Sequence, residues 1–398
     1  MPAAAVSEDL PALLLEFGLL LVVLGILARV AHRFGFSAVP FYLLGGLLLG
    51  NGGVVPVDLE GTLVPTLAEL GVILLLLLLG LEYSGRELVE HARRQMAPGL
   101  MDLLLNSVPG VALALLFGWG VPGAVALGGI TYISSSGIVS QVVRDLRWRR
   151  NPETGPVVSI LVIEDLVMAP YLPVLTVVLT GTGLVAGIIS VSVALIVVGI
   201  VLVIAVKRGE WAPSFFRASE PVGLLLVVFG LAVAAAGLAG LFSFSSAVAA
   251  FLVGLLLTGE VAEVARRRLD PLRELLAAIF FAYFGLVTDP RELPAVLVPA
   301  LALALVTILT KFVTGWLAGA TVDGGTISRL RAGALLTARG EFSVIIAGLV
   351  AVSGALPGDF SALVAAYVLI TATMGPLLAR YVERVGWWWD QRPARAGR

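Results

Sequence analysis

The chain has 398 residues, of which 59% are hydrophobic and 13% are charged, and its mean hydropathy is +1.02. Soluble domains carry roughly 25% charged residues, so the composition indicates an integral membrane protein. The net charge of −1 gives no sign of a nucleic-acid partner. The sequence contains no cysteine, which excludes disulfides, thiolate metal sites and a cysteine nucleophile.

Apolar runs recur along the chain, and about 20 apolar residues are enough for one helix to cross a bilayer. They predict one all-α polytopic membrane domain over residues 1–388 and a short basic cytoplasmic tail, 389–398. We expect about thirteen transmembrane helices. Their limits are 10–31, 38–51, 62–82, 97–118, 121–143, 155–181, 183–206, 220–237, 241–258, 271–288, 293–319, 328–352 and 358–381.

Basic residues predict the orientation of these spans. Of the 26 lysines and arginines, Arg291 alone lies at the end of an even-numbered span, and Lys311 and Arg339 lie within spans. The others lie at or beyond the ends of odd-numbered spans, and positive charge marks the cytoplasmic side. We therefore expect a multi-pass protein of the cell inner or plasma membrane, with its N-terminus outside and its C-terminus in the cytoplasm.

Spans 2–6 and spans 9–13 form two units of five that start on opposite sides of the membrane, which is typical of an inverted repeat. The fourth span of each unit has a polar, glycine-containing centre, at 128–137 in the fifth span and at 337–341 in the twelfth. Unwound backbone inside a membrane must find partners or line a cavity. We predict that both helices are broken at these centres and form a site near the midplane.

Five ionisable residues lie deep within apolar runs, namely Glu164, Asp165, Lys311, Arg339 and Glu341. If they were unpaired and faced lipid, they would together cost on the order of 12–17 kcal/mol, and such residues usually mark an ion or proton path. An antiporter needs a group that binds either a proton or a cation. We interpret Glu164 and Asp165 as that exchange site. Lys311 is then their counter-charge, unless it snorkels to the interface.

Polar residues lie around both predicted breaks. The hydroxyl residues of the fifth span either line a path for a dehydrated cation or are small residues that allow close helix packing; they are Thr131, Ser134, Ser135 and Ser136. Arg339 and Glu341 are expected to support the broken twelfth span. The guanidinium would lie against carbonyls of half-helix ends and the carboxylate against amides.

The order of several motifs resembles the bacterial cation:proton antiporter superfamily, on the branch with Kef-type and KhtU-type potassium/proton antiporters and related sodium/proton exchangers. The resemblance covers nearly the whole chain. It rests on Leu67–Gly71 with Gly80–Glu82, Ser134–Val139, Glu164–Leu166, Phe280–Gly285 with Asp289, Lys311, and Arg339–Phe342.

This resemblance implies an inverted-repeat fold in which the fifth and twelfth spans are unwound and cross near the ion site. It also implies a homodimer, with dimerisation helices at about 38–82 and 220–288 and moving core helices at about 97–181 and 293–381. Asp165 occupies the position of the family's essential ion-binding aspartate. Lys311 matches the lysine that pairs, in some members, with the acid at the position of Glu164. Many relatives carry a cytosolic nucleotide-binding domain, so such regulation would here need a separate subunit or is absent.

The sequence therefore predicts a monovalent cation/proton antiporter that works by alternating access and needs no cofactor. It does not distinguish K⁺ from Na⁺. A passive cation channel and a sodium-coupled symporter of organic anions on a similar fold remain as alternatives. An enzyme is not expected, because the sequence has no HExxH motif and no cysteine.

Overall fold

The computed structural model describes residues 10–34, 36, 38–50, 53, 63–82, 96–181, 221–241 and 246–390, with isolated residues between 192 and 204. Over these ranges the chain is helical and contains no strand. The helices are α1 (Leu10–Phe34), α2 (Val39–Leu49), α3 (Leu63–Glu82), α4 (Met96–Leu116), α5 (Gly120–Tyr132), α6 (Ser136–Asp145), α7 (Thr154–Thr180), α8 (Pro221–Leu241), α9 (Ser246–Leu256), α10 (Gly259–Leu286), α11 (Leu293–Gly319), α12 (Gly325–Leu336), α13 (Glu341–Ser353) and α14 (Gly358–Asp390).

The all-helical membrane fold is confirmed, although the count of thirteen spans stays a prediction. Within the described ranges, nine helical segments are long and apolar enough to cross a membrane, with α5–α6 and α12–α13 each counted as one segment. Helices α2, α9 and α10 fall at three further predicted spans. The predicted seventh span, 183–206, lies almost entirely outside the described residues.

Two predicted limits differ from the helix ends. Helix α10 begins at Gly259 rather than near 271, and α14 continues to Asp390 rather than ending near 381. Span limits predicted from hydropathy fall where the charged residues end and the apolar run begins. Charged residues can nevertheless remain helical, because oppositely charged side chains three or four positions apart pair with each other. One such pair joins Arg267 to Glu263 at 2.7 Å in the early part of α10.

Glycine pairs set the closest contacts between the helices on one side of the fold. Gly46 of α2 lies against Gly285 of α10, and a Cβ added at either position would overlap backbone atoms of the other helix. Gly80 of α3 and Gly254 of α9 meet in the same way. Because glycine has no side chain, the two backbones approach closely and pack over a large area, as in other membrane helix pairs.

Two spans are interrupted, and both interruptions fall at the polar centres predicted from the sequence. Helical backbone stops at Tyr132 and resumes at Ser136 in the first interrupted span, which consists of α5 and α6. It stops at Leu336 and resumes at Glu341 in the second interrupted span, α12 and α13. The two extended segments meet directly, since the Ser135 N–H donates to the Ala338 carbonyl at 2.8 Å.

Candidate functional site

Arg339 occupies the crossing of the two interrupted spans and is fully buried. Its Nη1 donates to the carbonyls of Leu336 and Thr337 at 3.0 and 2.9 Å, and its Nη2 donates to the Thr131 carbonyl at 2.7 Å. These carbonyls belong to the ends of α12 and α5, where the final turn of a helix has no partner of its own. The guanidinium therefore joins the C-terminal ends of two half-helices.

Glu341 accepts hydrogen bonds from residues at the start of α6. Its carboxylate accepts hydrogen bonds from the hydroxyls of Ser135 and Ser136 at 2.6 and 3.0 Å, and from the Gly137 N–H at 3.2 Å. Glu341 is also the first residue of α13. One carboxylate thus lies at the N-terminal ends of two half-helices.

The charges at the crossing balance. A helix carries roughly half a positive charge at its N-terminus and half a negative charge at its C-terminus. Two C-terminal ends together approach one negative charge, which Arg339 offsets, and two N-terminal ends approach one positive charge, which Glu341 offsets. Such matching is needed because half-helix ends at membrane depth leave backbone groups without partners in their own helix.

A buried ion triad lies next to the crossing. The Lys311 Nζ contacts the Asp102 carboxylate at 2.8 and 2.9 Å and Glu164 Oε1 at 2.8 Å. The hydroxyl of Ser134 donates to Glu164 Oε1 at 3.0 Å, and the Ser134 N–H donates to the other Glu164 oxygen. Lysine and both acids are at most 1% exposed, so Lys311 does not snorkel to an interface. Its partner in the acidic pair is Glu164.

Asp102 was missed by the sequence prediction, which counted five ionisable residues deep in apolar runs. It lies near the start of the predicted fourth span, and its partner Asn106 follows one helical turn later, so the two share one face of α4. Asn106 Nδ2 donates to Asp102 Oδ1 at 2.9 Å, and Thr310 of α11 donates to Asn106 Oδ1 at 2.7 Å. An aspartate and an asparagine four residues apart within an apolar run is the signal that could have revealed this network.

The remaining predicted site residues lie around the same point. Asp165 is 3% exposed, next to Glu164 on α7. The Thr131 hydroxyl donates to the Leu127 carbonyl of its own helix at 2.9 Å, while its carbonyl receives Arg339. Glu164 and Ser134 are therefore brought together with Lys311, and Asp165 is buried at the next position of α7. Ser135 and Ser136 are brought to Glu341.

A cavity of about 590 Å³ leads to the break in the first interrupted span. At its inner end it is lined by Ser135, Ser136 and Glu341. Towards the surface it is lined by charged residues at the ends of α1 and α6 and along the first half of α10, namely His32, Asp145, Arg266, Asp270, Arg273 and Glu274. Ser135 lines the cavity, and its neighbour Ser134 contacts the buried Glu164. The cavity therefore ends one residue along the chain from a contact with the buried acids.

Broken helices that cross beside buried, paired charges, with a polar cavity leading to them, define a multi-pass membrane protein of the secondary transporter class. The chain belongs to the sodium/hydrogen exchanger family, whose transmembrane domain matches residues 19–383.

Relatives of known name agree with this assignment. The chain is 29% identical over 385 residues to the K(+)/H(+) antiporter subunit KhtU of Bacillus subtilis (strain 168), covering 94% of each protein. It is 31% identical over 383 residues to the ammonium/H(+) antiporter subunit AmhT of Alkalihalophilus pseudofirmus, again covering 94% of each. These relatives are transporters and not enzymes, which confirms that prediction.

The fold is similar to that of the sodium proton antiporter MjNhaP1 from Methanocaldococcus jannaschii at pH 8. The TM-score is 0.65 over 96% of this chain and 98% of the other, at 19% identity. The similarity of fold therefore extends over nearly the whole chain.

Proposed function

We propose that this protein exchanges a monovalent cation, K⁺ or Na⁺, for protons, and that the two ions compete for Asp165. The observation that carries the proposal is the burial of two adjacent carboxylates in α7, with Glu164 1% and Asp165 3% exposed, beside the crossing of two interrupted spans. A carboxylate removed from water must be neutralised by a proton, a cation or a fixed positive group. A site that accepts one ion only after releasing the other couples their movements.

The three residues of the exchange site have different roles in this proposal. Asp165 binds the transported ion. Glu164 binds Lys311 when the site is empty, and it is released when an ion arrives. The hydroxyl or carbonyl oxygens of Thr131 and of Ser134, Ser135 and Ser136 lie along the route between the cavity and the acids, where oxygen atoms can replace the water of a cation.

Alternating access in this proposal is a movement of the core helices, 97–181 and 293–381, against the dimerisation helices, 38–82 and 220–288. The cavity supports this division, because apart from His32 its walls come from α2, α3 and α10 on one side and from α6 and α13 on the other. A cavity between two bodies opens or closes when they slide past each other. A cavity between the two groups of helices therefore fits a state of the transporter that is open on one side of the membrane.

The inverted repeat is also part of the proposal, and the glycine contacts support it. If spans 2–6 and 9–13 are equivalent in order, span 2 corresponds to span 9 and span 3 to span 10. The contact of span 2 with span 10 then corresponds to the contact of span 9 with span 3. Both contacts are glycine pairs, Gly46 with Gly285 and Gly80 with Gly254.

We place the N-terminus outside and the C-terminus in the cytoplasm, with the cavity open to the cytoplasm. Residues assigned to the same side from their charge lie together, since Arg380 Nη1 donates to the Phe34 carbonyl at 3.2 Å. The natural sequence has no cysteine, so single-cysteine variants can be labelled without background. Arg149→Cys should be labelled only after membranes are opened, and Asp289→Cys should be labelled in intact cells; the reverse pattern would reject this orientation.

We further propose a homodimer that works with a separate cytosolic regulatory subunit. The names of KhtU and AmhT describe each as an antiporter subunit, which supports an assembly with a further chain. The mass of the purified protein in detergent, measured by light scattering, tests the dimer. A monomer at all concentrations would reject it.

The central test is transport by purified protein in vesicles that contain a pH-sensitive dye. K⁺, Na⁺, Li⁺ and ammonium are supplied in turn, with and without valinomycin to clamp the voltage. Wild-type protein should release protons when a preferred cation is added. Asp165→Asn should abolish this release, whereas the exposed Asp323→Asn should leave it unchanged.

Each alternative predicts a different result in the same assay. A channel would conduct cations without proton counter-movement, and a symporter would need an organic anion for cation uptake. Full proton release by Asp165→Asn in folded protein would reject Asp165 as the exchange group.

A further inference from the structure

Asp102 holds Lys311 more completely than Glu164 does. An ammonium group has three N–H donors. Both oxygens of the Asp102 carboxylate lie at hydrogen-bond distance from the Lys311 Nζ, at 2.8 and 2.9 Å, and only one oxygen of Glu164 does, at 2.8 Å. Asp102 therefore accounts for two of the three contacts, and these would survive the departure of Glu164.

Asn106 fixes the orientation of Asp102. Its Nδ2 donates to Asp102 Oδ1 at 2.9 Å and lies 3.3 Å from the Thr314 hydroxyl of α11. Thr310, also on α11, donates to its Oδ1 at 2.7 Å, which sets the direction of the amide. Asp102 and Lys311 thus lie on two helices, α4 and α11, that are also joined by the neutral hydrogen bonds of Asn106.

The other groups that face this pair differ in how they are held. Glu164 lies on α7 with Asp165 beside it, and α7 also takes part in the proposed exchange. The Tyr132 ring of α5 lies 5.7 Å from the Lys311 Nζ, a distance at which an aromatic face attracts a cation. The nearby Arg339 donates to the half-helix carbonyls of Leu336, Thr337 and Thr131.

We propose that Asp102, aligned by Asn106, is the resident counter-ion of Lys311. It is a positioning residue that keeps the Lys311 ammonium between α4 and α11 while Glu164 dissociates from the lysine and an ion binds at Asp165. This inference rests on the proposed antiport at Asp165. It assigns the lysine a fixed place in the cycle, where otherwise each release of Glu164 would leave a buried ammonium without an anion.

Replacing Asp102 by asparagine keeps the shape but removes the charge. Lys311 would then have Glu164 as its anionic partner and would hold it more tightly, so an incoming cation would have to displace a stronger pair. Of the two hydrogen bonds from Lys311, one is lost because an amide nitrogen does not accept, and the other loses its anionic acceptor. We expect the tighter Lys311–Glu164 pair to raise the cation KM about tenfold.

The experiment compares wild type, Asp102→Asn and Asp102→Glu in the proton-release assay, with Asp323→Asn as the matched control. The expected result is a rise of about tenfold in the cation KM for Asp102→Asn with kcat kept within about threefold, and partial recovery of KM for Asp102→Glu. A merely structural role would lower kcat and the amount of folded protein while leaving KM unchanged. An unchanged KM would overturn the inference.

A second measurement does not depend on transport. Thermal unfolding is measured for Asp102→Asn, Lys311→Gln and the double variant. If the two side chains act as one pair, the double variant should be no less stable than Lys311→Gln, because it no longer buries the Asp102 carboxylate without a cation and leaves Glu164 as it is in that single variant. Additive losses of stability would overturn the inference.

These readouts separate the failure of this inference from failure of the proposed function. Absence of cation-driven proton release in the wild type rejects the proposed function, whereas normal wild-type release with an unchanged KM in Asp102→Asn rejects only the role of Asp102. If Asp102→Asn does not fold, Asn106→Leu takes its place, since it keeps both charges and removes the aligning amide. A rise of several-fold in KM is expected there, and an unchanged KM overturns the inference.

Discussion

Removal of the Arg339 guanidinium should destabilise the protein more than any surface arginine does. Arg339 is fully buried and donates to three backbone carbonyls, at 3.0, 2.9 and 2.7 Å. In Arg339→Gln the side chain is shorter and neutral. The ends of α5 and α12 then lose the positive charge that offsets two half-helix dipoles, and their carbonyls lose donors at a depth where water is scarce.

The size of the effect follows from these contacts. Hydrogen bonds from a charged donor contribute about 1.5–3 kcal/mol each, so three of them set a gross loss of about 4.5–9 kcal/mol. Part of this loss is recovered, because the buried guanidinium no longer has to be kept out of water at a penalty of several kcal/mol. We expect a net loss of about 3–5 kcal/mol, the range seen when one partner is removed from a buried ionic contact. At roughly 2 °C per kcal/mol the Tm should fall by about 6–10 °C.

Thermal unfolding of detergent-purified protein measures this effect. Arg291→Gln is the matched control, because its side chain is exposed, and its Tm should stay close to wild type. Arg339→Lys should fall between the two, because an ammonium lacks the planar fork that reaches both half-helix ends. If Arg339→Gln unfolds within about 1 °C of wild type, the guanidinium does not hold the crossing together and the account of the two half-helix ends is wrong.

Two further changes test the same architecture. Glu341→Gln removes the charge that accepts hydrogen bonds from Ser135, Ser136 and Gly137, so it should cost about 1–3 kcal/mol in the unfolding assay, with the exposed Glu263→Gln as control; equal Tm values for the two variants would contradict the proposed role. Gly80→Val forces a branched side chain into backbone atoms of α9 and should destabilise by at least about 1–3 kcal/mol. Its control is Gly230→Val, where nothing lies within 4 Å of an added Cβ, and equally stable variants would show that the α3–α9 contact is not close.

Much of the fold could be read from the sequence because a membrane imposes strict rules on it. Apolar runs must become helices, since every backbone polar group needs an internal partner in lipid. A polar centre within an apolar run can interrupt the helix only where its backbone groups find other hydrogen-bond partners. Both interruptions occur at the predicted places. The guanidinium of Arg339 was assigned to half-helix carbonyls for the same reason. The limits of α10 were predicted less well, because charge pairs such as Glu263 with Arg267 extend a helix beyond its apolar part.

Pairing across the structure was less accessible to sequence reasoning. Lys311 had two adjacent acids as possible partners, and a rotation of about 100° between neighbouring helix residues decides which one reaches it. Asp102 is separated from Lys311 by more than 200 positions in the chain, and no local pattern relates the two. Only the packing of α4 against α11 brings Asp102 and Asn106 to the lysine.

The sequence by itself determined that this is a helical membrane protein with buried charges and two broken spans. Charged side chains and unpaired backbone groups are too costly in lipid unless the protein supplies partners for them. The tertiary structure decided which charges meet. It placed Arg339 on two half-helix ends, Glu341 on two others, and Lys311 between Glu164 and Asp102. The physical reason is that burial cost is a property of each residue and its neighbours in the chain, whereas the partner that offsets it depends on how distant helices pack.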